Sequence, residues 1–275
     1  MNAKDLNMTF NNLREGWDGD WPGLPRVMES CLAMLGNDPT SVLLPRTRAV
    51  SDCIQEVALF IEENGRVQAG LKKEPDYHNR LHVSDTLVSL TTLLLLHRKY
   101  VGETGGKPSH IEWVAMLAML GHDLMHDGSI NSSTSQIETL SVHYLQPFLE
   151  RHKVHKEDQR AVKNIIISTD PRLVKVSHEK IAKRIFSLAD IDCLTVLIQE
   201  SDIMASAMPH IGPLLAKRLE KEWRKIGFSQ ADIVATTAGR IQFLRYSALF
   251  SSPASEMLGM RTIKSVQLGV LGADA

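Results

Sequence analysis

The chain has 275 residues, of which 43% are hydrophobic, and this is enough to bury one sizeable core in one large domain or two small ones. Charged residues make up 23%, and 31 Lys and Arg against 32 Asp and Glu leave a formal net charge of -1. This composition excludes collagen-like, low-complexity and disordered chains, and it offers no basic excess for binding the backbone of bulk nucleic acid.

The cysteines and the apolar runs predict where the chain resides. Cys31, Cys53 and Cys193 are scattered and lack CxxC spacing, so we expect reduced core residues rather than disulfides. Residues 1–12 lack the charged-then-apolar order of a secretory signal. The longest apolar-leaning run, 87–96, is far shorter than the roughly 20 residues of a membrane span. We therefore expect a soluble, cytoplasmic protein with no membrane partner.

Residues 1–44 are predicted to form an irregular N-terminal segment, because the first forty of them are rich in Asn, Asp, Gly and Pro, as turns are. The sequence leaves two roles open for this segment. It could be a regulatory piece, or it could be a dimer contact that makes the protein a homodimer.

Residues 45–275 are predicted to form one all-α domain. Val50, Ile54 and Val57 illustrate the helical spacing of apolar residues that recurs along this region. The pattern predicts helices over 46–69, 77–100, 111–120, 135–151, 156–168, 178–201, 213–226 and 230–250. Alternating strands, a fixed repeat and a long linker are not evident, so we expect a compact multi-helix fold.

A first polar segment stands out at the start of a predicted helix: Tyr77-His78-Asn79-Arg80-Leu81-His82-Val83-Ser84-Asp85. His78 and His82 are four residues apart, and Asp85 follows three residues later. A helix would place these three side chains on one face. Asp85 is expected to orient His82 or a neighbouring imidazole, as carboxylates commonly do at metal sites.

A second segment, His122-Asp123-Leu124-Met125-His126-Asp127-Gly128, follows an almost wholly apolar helix. Neighbouring His and Asp side chains at a helix end can face one cation, and the second carboxylate oxygen can bridge to another. Two cations in one site can bind the attacking and the leaving oxygens of a phosphoryl displacement. The two segments together therefore predict a two-metal site.

Asp190 is predicted to be the fourth metal ligand. It follows Ala189 in a stretch that is otherwise apolar, where a carboxylate is costly to bury without a cation or a hydrogen-bond partner.

These three segments, in this order, resemble the signatures of the catalytic domain of class I 3′,5′-cyclic nucleotide phosphodiesterases, which belong to the HD phosphohydrolase superfamily. The resemblance runs from about residue 75 to 245. It implies a compact all-α domain that hydrolyses cyclic nucleotides (cAMP or cGMP) to 5′-monophosphates, with water activated by two metals attacking phosphorus.

The resemblance also implies a role for particular residues. His78 would protonate the leaving ribose oxygen, while His126 and Glu138 would contact metal-bound water. The ligands of a tightly bound metal, usually zinc, would be His82, His122, Asp123 and Asp190. Asp123 would bridge to a second metal, usually magnesium or manganese. The substrate-binding residues would be Tyr77, Asn79, Thr169, Asp170, Arg240, Gln242 and Phe243, with Phe243 stacking on the base.

The sequence departs from the family pattern in the substrate pocket. Arg240 stands where the family has a purine-selecting glutamine, and Gln242 directly precedes Phe243 instead. Arg240 could read a phosphate or a carboxylate in a bidentate way. The charged run 217–225 mixes both signs and is expected to be a solvated helix face.

Two alternatives to a cyclic nucleotide phosphodiesterase remain open. One is an HD phosphohydrolase that acts on another nucleotide or phosphorylated metabolite, which Arg240 favours. The other is a non-catalytic nucleotide sensor that retains its metals, and His78 argues against it because this residue has little purpose without a leaving group.

Overall fold

The computed structural model of the protein describes residues 2–17, 20–40, 42–103 and 105–273. Within these ranges it contains α-helices, one π-helical turn and no β-strand. The all-α fold class is confirmed. No helix in the described ranges combines the length and apolar character needed to cross a bilayer.

The helices in the first half of the chain are α1 (Ala3–Glu15), α2 (Leu24–Met34), α3 (Pro45–Gly70), α4 (Arg80–Tyr100), α5 (His110–Gly121) and α6 (Gln136–Arg151). The helices in the second half are α7 (Lys156–Ile167), α8 (Pro171–Ile181), α9 (Ile191–Ala207), α10 (Gly212–Lys225), α11 (Ala231–Val234), α12 (Thr237–Gln242), α13 (Pro253–Leu258) and α14 (Met260–Ala273). The π-helical turn, Phe243–Ser247, follows α12 directly.

The N-terminal segment is helical, and the prediction of an irregular segment is wrong for α1 and α2. The Asn2 side chain accepts the backbone N–H groups of Lys4 and Asp5, and the Asp5 carboxylate accepts the N–H of Asn2, which makes a capping box. Leu6 and Phe10, one turn apart, are fully buried. Local capping and an apolar pair thus make a helix that the overall composition of the segment hides.

The core is continuous across the predicted boundary at residue 44. Buried side chains of α1 and α2 belong to the same hydrophobic cluster as those of α4, α5 and α9. Cys31, Cys53 and Cys193 are free and buried in it, as predicted.

Two long predicted helices are interrupted. The one predicted over 178–201 divides into α8 and α9, because the Asp190 side chain accepts the N–H of Asp192 and caps a new helix at Ile191. The one predicted over 230–250 divides into α11, α12 and the π-helical turn, and Thr236 caps α12 by accepting the N–H of Gly239.

Three buried helices position the site. Helices α4, α5 and α9 pack against one another in the centre of the molecule. Almost every residue of α4 up to Arg98 is buried, and so are ten of the twelve residues of α5. Polar side chains that these helices carry at their ends are therefore held in a rigid, largely dehydrated setting.

Candidate metal centre and acid–base site

Four side chains from the three central helices converge. His82 lies in the first turn of α4, His122 and Asp123 directly follow α5, and Asp202 lies in the last turns of α9. The Nε2 atom of His82 lies 3.2 Å from Asp123 Oδ2 and 3.2 Å from Asp202 Oδ1. The Nε2 atom of His122 lies 3.2 Å and 3.4 Å from the same two oxygens. Each of the two imidazole nitrogens therefore lies close to the same two carboxylate oxygens, and His82, His122 and Asp123 are close enough to one another to bind one metal ion.

The position of His122 fits a cation at this point. Its Nδ1–H donates to the Met119 carbonyl oxygen at 2.6 Å, which leaves the lone pair on Nε2. Nε2 is buried and has no hydrogen-bond partner among the described residues, although both carboxylates are close. A buried imidazole nitrogen beside two carboxylates suits a divalent cation, because nitrogen and carboxylate oxygen are both common metal ligands.

The electrostatics of the cluster lead to the same conclusion. Burial opposes ionisation of Asp123 and Asp202, but the adjacent imidazoles hold the pKa of Asp123 well below its usual range and also lower the pKa of Asp202. Burial also opposes protonation of His82, but the two carboxylates raise its pKa to about 9. The buried pair of carboxylates therefore requires positive charge beside it, which protons or a cation can supply.

Asp190 lies outside this cluster, contrary to the prediction that it is the fourth ligand. Its carboxylate accepts from Arg184 Nη1 at 3.0 Å, is partly exposed, and caps α9. Asp202 follows twelve residues later, which is roughly 18 Å along a helix. The two positions cannot reach the same cation.

Asp202 was missed because the apolar stretch around α9 holds four acids, and burial cost alone does not choose among them. They are Asp190, Asp192, Glu200 and Asp202. In the structure Asp190 and Asp192 bind Arg184, and the buried Glu200 accepts from Ser252. Asp202 is the acid that faces the two imidazoles, and this depends on where α9 begins and on contacts between distant residues.

His78 belongs to a second group, beside the first. It precedes α4, and its Nδ1–H donates to Glu222 Oε1 at 2.5 Å. The other oxygen of Glu222 accepts the backbone N–H groups of Tyr77 and His78, at 2.7 and 3.1 Å. Burial opposes ionisation of Glu222, but the charge of His78 and these hydrogen bonds lower its pKa to about 2. Glu222 thus fixes His78 with Nε2 as the free nitrogen.

Glu222 was not predicted, and the run 217–225 is not a uniformly solvated face. Glu222 lies in α10, and its side chain is buried, whereas its neighbours Lys221 and Arg224 are exposed. No motif marks a single buried acid within a charged run, and 144 residues separate it from His78.

His126 stacks on His78, with ring centroids 3.8 Å apart and an angle of 18° between the rings. Its Nδ1 accepts the N–H of Gly128 at 2.9 Å, so the Nε2 atom carries the proton. Burial and the nearby charge of His78 lower the pKa of His126 to about 4. His126 is therefore a neutral donor beside His78. Gly128 has a φ of 82°, which favours glycine in this turn.

Glu138, Thr169 and Asp170 lie around a neighbouring turn. The Glu138 carboxylate accepts from Asn131 Nδ2 at 2.9 Å, and burial, with the charges of Asp170 and Asp123, raises its pKa. Asp170 caps α8 and accepts the N–H of Ser135 at 2.6 Å. The hydroxyl of Thr169 donates to the Ile166 carbonyl oxygen. These contacts fix the conformation of the turn. Of these side chains, the Glu138 carboxyl is the one whose pKa the charge of Asp123 raises.

The Arg240 guanidinium is hydrogen-bonded to other groups of the protein. Its guanidinium donates to the carbonyl oxygens of Ser206 and Met208 and to Gln267 Oε1, the last at 2.9 Å. It also lies over the Phe243 ring, 5.4 Å from the centroid. Its Nε atom is buried without a hydrogen-bond partner among the described residues, and burial lowers the pKa of Arg240 to about 10.

The other predicted substrate-binding residues lie in different places. The Tyr77 hydroxyl is 2.9 Å from Ser206 Oγ, in a small pocket that Arg240 and Phe243 also line. Asn79 caps α4 by accepting the N–H groups of Leu81 and His82. Gln242 is exposed at the end of α12.

Asp85 is bound from the N-terminal helix. Arg14 of α1 donates to both oxygens of Asp85, which is buried one turn beyond His82. Asp85 was expected to orient an imidazole, and in the structure its hydrogen-bonding partner is this arginine.

A cavity of about 200 Å³ opens beside the two groups. His78, Asp123 and His126 form one side of it, and residues of α3, including Phe60 and Asn64, form the other. A small molecule placed there would contact His78 and Asp123, which is one of the four converging side chains.

The whole fold resembles a solved phosphodiesterase. The structure of LmjPDEB1 from Leishmania in complex with IBMX superposes with a TM-score of 0.70 over 96% of this chain and 90% of that chain, at 14% sequence identity. This likeness shows a phosphodiesterase-like fold.

Two other comparisons found no related protein. No family model matches the chain, and no curated protein matches it. Neither the structure nor the superposition supports the homodimer.

Proposed function

We propose that the protein is a metal-dependent phosphodiesterase that hydrolyses 3′,5′-cyclic nucleotides to 5′-monophosphates. The observation that carries this proposal is the convergence of His82, His122, Asp123 and Asp202, with His78 held just outside that set. The phosphodiesterase-like fold supports the same reaction class.

The residues that would hold the first cation are His82, His122, Asp123 and Asp202, and their mixed nitrogen and oxygen donors suit zinc. The second oxygen of Asp123 would serve a magnesium or manganese ion, with Glu138 and His126 towards its water. Bound divalent cations would supply Lewis acidity, which polarises a phosphoryl oxygen and acidifies water.

His78 would act as the general acid. Glu222 binds its Nδ1–H, so the Nε2 atom is left to carry a proton towards the cavity. An alkoxide is a poor leaving group, and a proton delivered at the departing ribose oxygen is worth roughly 10²- to 10⁴-fold in rate. Stacking against neutral His126 fixes the ring plane without adding a competing charge.

The cytoplasm remains our prediction for the location, because the three buried cysteines are free, as is usual in a reducing compartment.

A second candidate is a phosphohydrolase that acts on a substrate other than a cyclic purine nucleotide. Arg240 occupies the position from which the family's glutamine would bind the base, and its guanidinium is turned to backbone carbonyls. A non-catalytic sensor is disfavoured, since a sensor has no use for a half-buried His78 whose Nδ1–H is bound by the buried Glu222.

A substrate panel tests the proposal. The purified protein, assayed with Mn²⁺ or Mg²⁺, should convert at least one 3′,5′-cyclic nucleotide to its 5′-monophosphate. Turnover of nucleoside monophosphates or artificial phosphodiesters, with no turnover of any cyclic nucleotide, would favour the second candidate. Tight nucleotide binding without turnover under any metal would favour the sensor.

A further inference from the structure

A second groove of about 610 Å³ lies between α10, the end of α3 and residues 72–79. It adjoins the cavity beside His78 and shares Glu74, Pro75 and Asn79 with it. Its cationic and aromatic side chains are Lys72, Lys217, Arg218, Lys221, Lys225 and Trp17. The volume is in the range of small-molecule pockets, roughly 300 to 1,000 Å³. None of the proposed metal ligands lines it, and neither does His78.

The groove is positively charged on a chain that is slightly negative overall. Among the residues that the structure describes, five cationic side chains and two carboxylates, Glu74 and Asp76, line the groove, which gives a formal charge of +3 against -1 for the whole chain. Glu74 is also bound by Arg80 Nε at 2.8 Å. Asp76 lies between Lys221, at 2.6 Å, and Lys225. These two acids are therefore already paired, and Lys72 and Lys217 are the cations of the groove that remain without an acidic partner among the described residues.

Lys72 and Lys217 are the two lysines of the groove that are available to bind an anion. Both are exposed, and neither side chain makes an ion pair or a hydrogen bond with a described residue. A cluster of like charges raises the local concentration of an anion and is favourable only when an anion is present.

Trp17 adds a fixed planar surface. Its ring is half-buried, packs edge-to-face on Trp21 with centroids 4.8 Å apart, and has the Arg80 guanidinium over one face, 5.1 Å from the ring centroid, so a base would stack on the other face. Indole rings stack on nucleobases with about 1–3 kcal/mol per base. An aromatic ring and several lysines in one groove match the two ends of a nucleotide.

We propose that this groove, which adjoins the hydrolytic cavity but is lined neither by the proposed metal ligands nor by His78, is a binding site for a nucleoside polyphosphate. The phosphates lie on Lys72, Lys217 and the neighbouring cations of α10, and the base lies against Trp17. Binding here requires neither the divalent cations nor turnover.

Calorimetric titration of the EDTA-treated protein with ATP at low salt tests the proposal, because metal-dependent phosphate binding at the hydrolytic site is then removed. ATP should bind, and the double variant Lys72→Glu/Lys217→Glu should bind it at least tenfold more weakly. The matched control Lys4→Glu/Lys183→Glu makes the same change of charge at two exposed positions outside the groove. It should change affinity by less than twofold.

Further titrations separate the two parts of the ligand. Inorganic triphosphate should bind more weakly than ATP, and Trp17→Leu should remove that difference. Equal affinity of ATP and triphosphate would overturn the base contact. Absence of ATP binding at millimolar concentration, or equal losses in both double variants, would overturn the site itself. Neither result bears on whether the protein hydrolyses a cyclic nucleotide.

Discussion

At the scale of single residues, His78 and the proposed metal ligands have different partners. Its Nδ1–H is taken by Glu222, while His82 and His122 direct their Nε2 atoms at Asp123 and Asp202. A change at His78 should therefore affect chemistry alone.

The first prediction concerns His78→Ala. Turnover should fall by roughly two to four orders of magnitude, because the leaving oxygen loses its proton donor. Bound metal, measured by elemental analysis, should stay within error of the unaltered protein. His143→Ala, at an exposed histidine, is the control and should change neither quantity. Substantial loss of metal in His78→Ala would show that His78 is a ligand instead.

The second prediction concerns Glu222→Gln, which keeps a side chain of the same shape but removes the charge beside His78. Because Glu222 acts through His78, kcat should fall by roughly 10- to 100-fold while KM changes little. The pH profile of kcat should also move, which a purely structural role would not cause. A loss confined to KM would contradict this positioning role.

Local sequence information predicted most of the candidate site at this scale. His78, His82, His122, Asp123 and His126 lie in two short segments, and the structure brings these segments together. Asp202 and Glu222 were missed, because the first depends on the start of α9 and the second on a contact between α10 and residues distant in the sequence. Neither the start of α9 nor this contact can be predicted from composition or from the spacing of residues.

At the scale of secondary-structure elements, α1 supports the site from the N-terminus. Arg14 and Asp85 form a buried pair one turn from His82. Burial raises the pKa of Asp85, and the charge of Arg14 opposes this. The N-terminal helix is therefore tied to the helix that carries the first proposed metal ligand.

The third prediction concerns Arg14→Met. It leaves a buried carboxylate unpaired and should lower the free energy of unfolding by about 3–5 kcal/mol. Arg26→Met, at an exposed arginine of α2, should change it by less than about 0.5 kcal/mol. Denaturant titration followed by circular dichroism measures both. Similar small effects for the two variants would mean that α1 does not depend on this pair.

Helix positions were predictable where an apolar stripe is long, and helix ends were not. The predicted helices over 46–69 and 111–120 agree with α3 and α5 to within a residue at each end. The ends set by Asp190 and Thr236 required knowledge of which polar side chain turns back to its own backbone. The same local capping produced α1 in a segment whose composition predicts turns.

At the scale of the whole molecule, the pH dependence of stability should contain a contribution from His178. This residue of α8 is buried, its Nδ1 lies 2.7 Å from Ser251 Oγ, and burial lowers its pKa to about 4. Its ordinary pKa is about 6.5, so the unfolded chain binds a proton at a higher pH than the folded chain does. The stability that neutral His178 allows is complete above pH 6.5 and is lost as the pH falls towards 4.

The fourth prediction follows from this sign. Between pH 7.5 and 4, the unaltered protein should lose about 3 kcal/mol more of its free energy of unfolding than His178→Gln, which cannot be protonated. Denaturant titrations of both proteins across this pH range measure the difference. A constant difference between the two proteins would contradict the account of His178.

Packing of buried helices determines the fold, whereas the candidate site depends on a few side chains near the ends of these helices. The superposition on a phosphodiesterase at 14% identity shows that the fold persists with most side chains changed. The same fold can serve different substrates. The substrate therefore has to be argued from Arg240, the cavity beside His78 and the substrate panel.

The metal content of Asp202→Asn, compared with Asp190→Asn, tests the central claim most directly. Both changes remove one carboxylate charge from the same stretch of chain, and asparagine at residue 190 can still cap α9. Elemental analysis after purification should show that Asp202→Asn has lost divalent metal and that Asp190→Asn retains as much as the unaltered protein. Full metal content in Asp202→Asn, or loss in Asp190→Asn alone, would contradict the proposed metal centre.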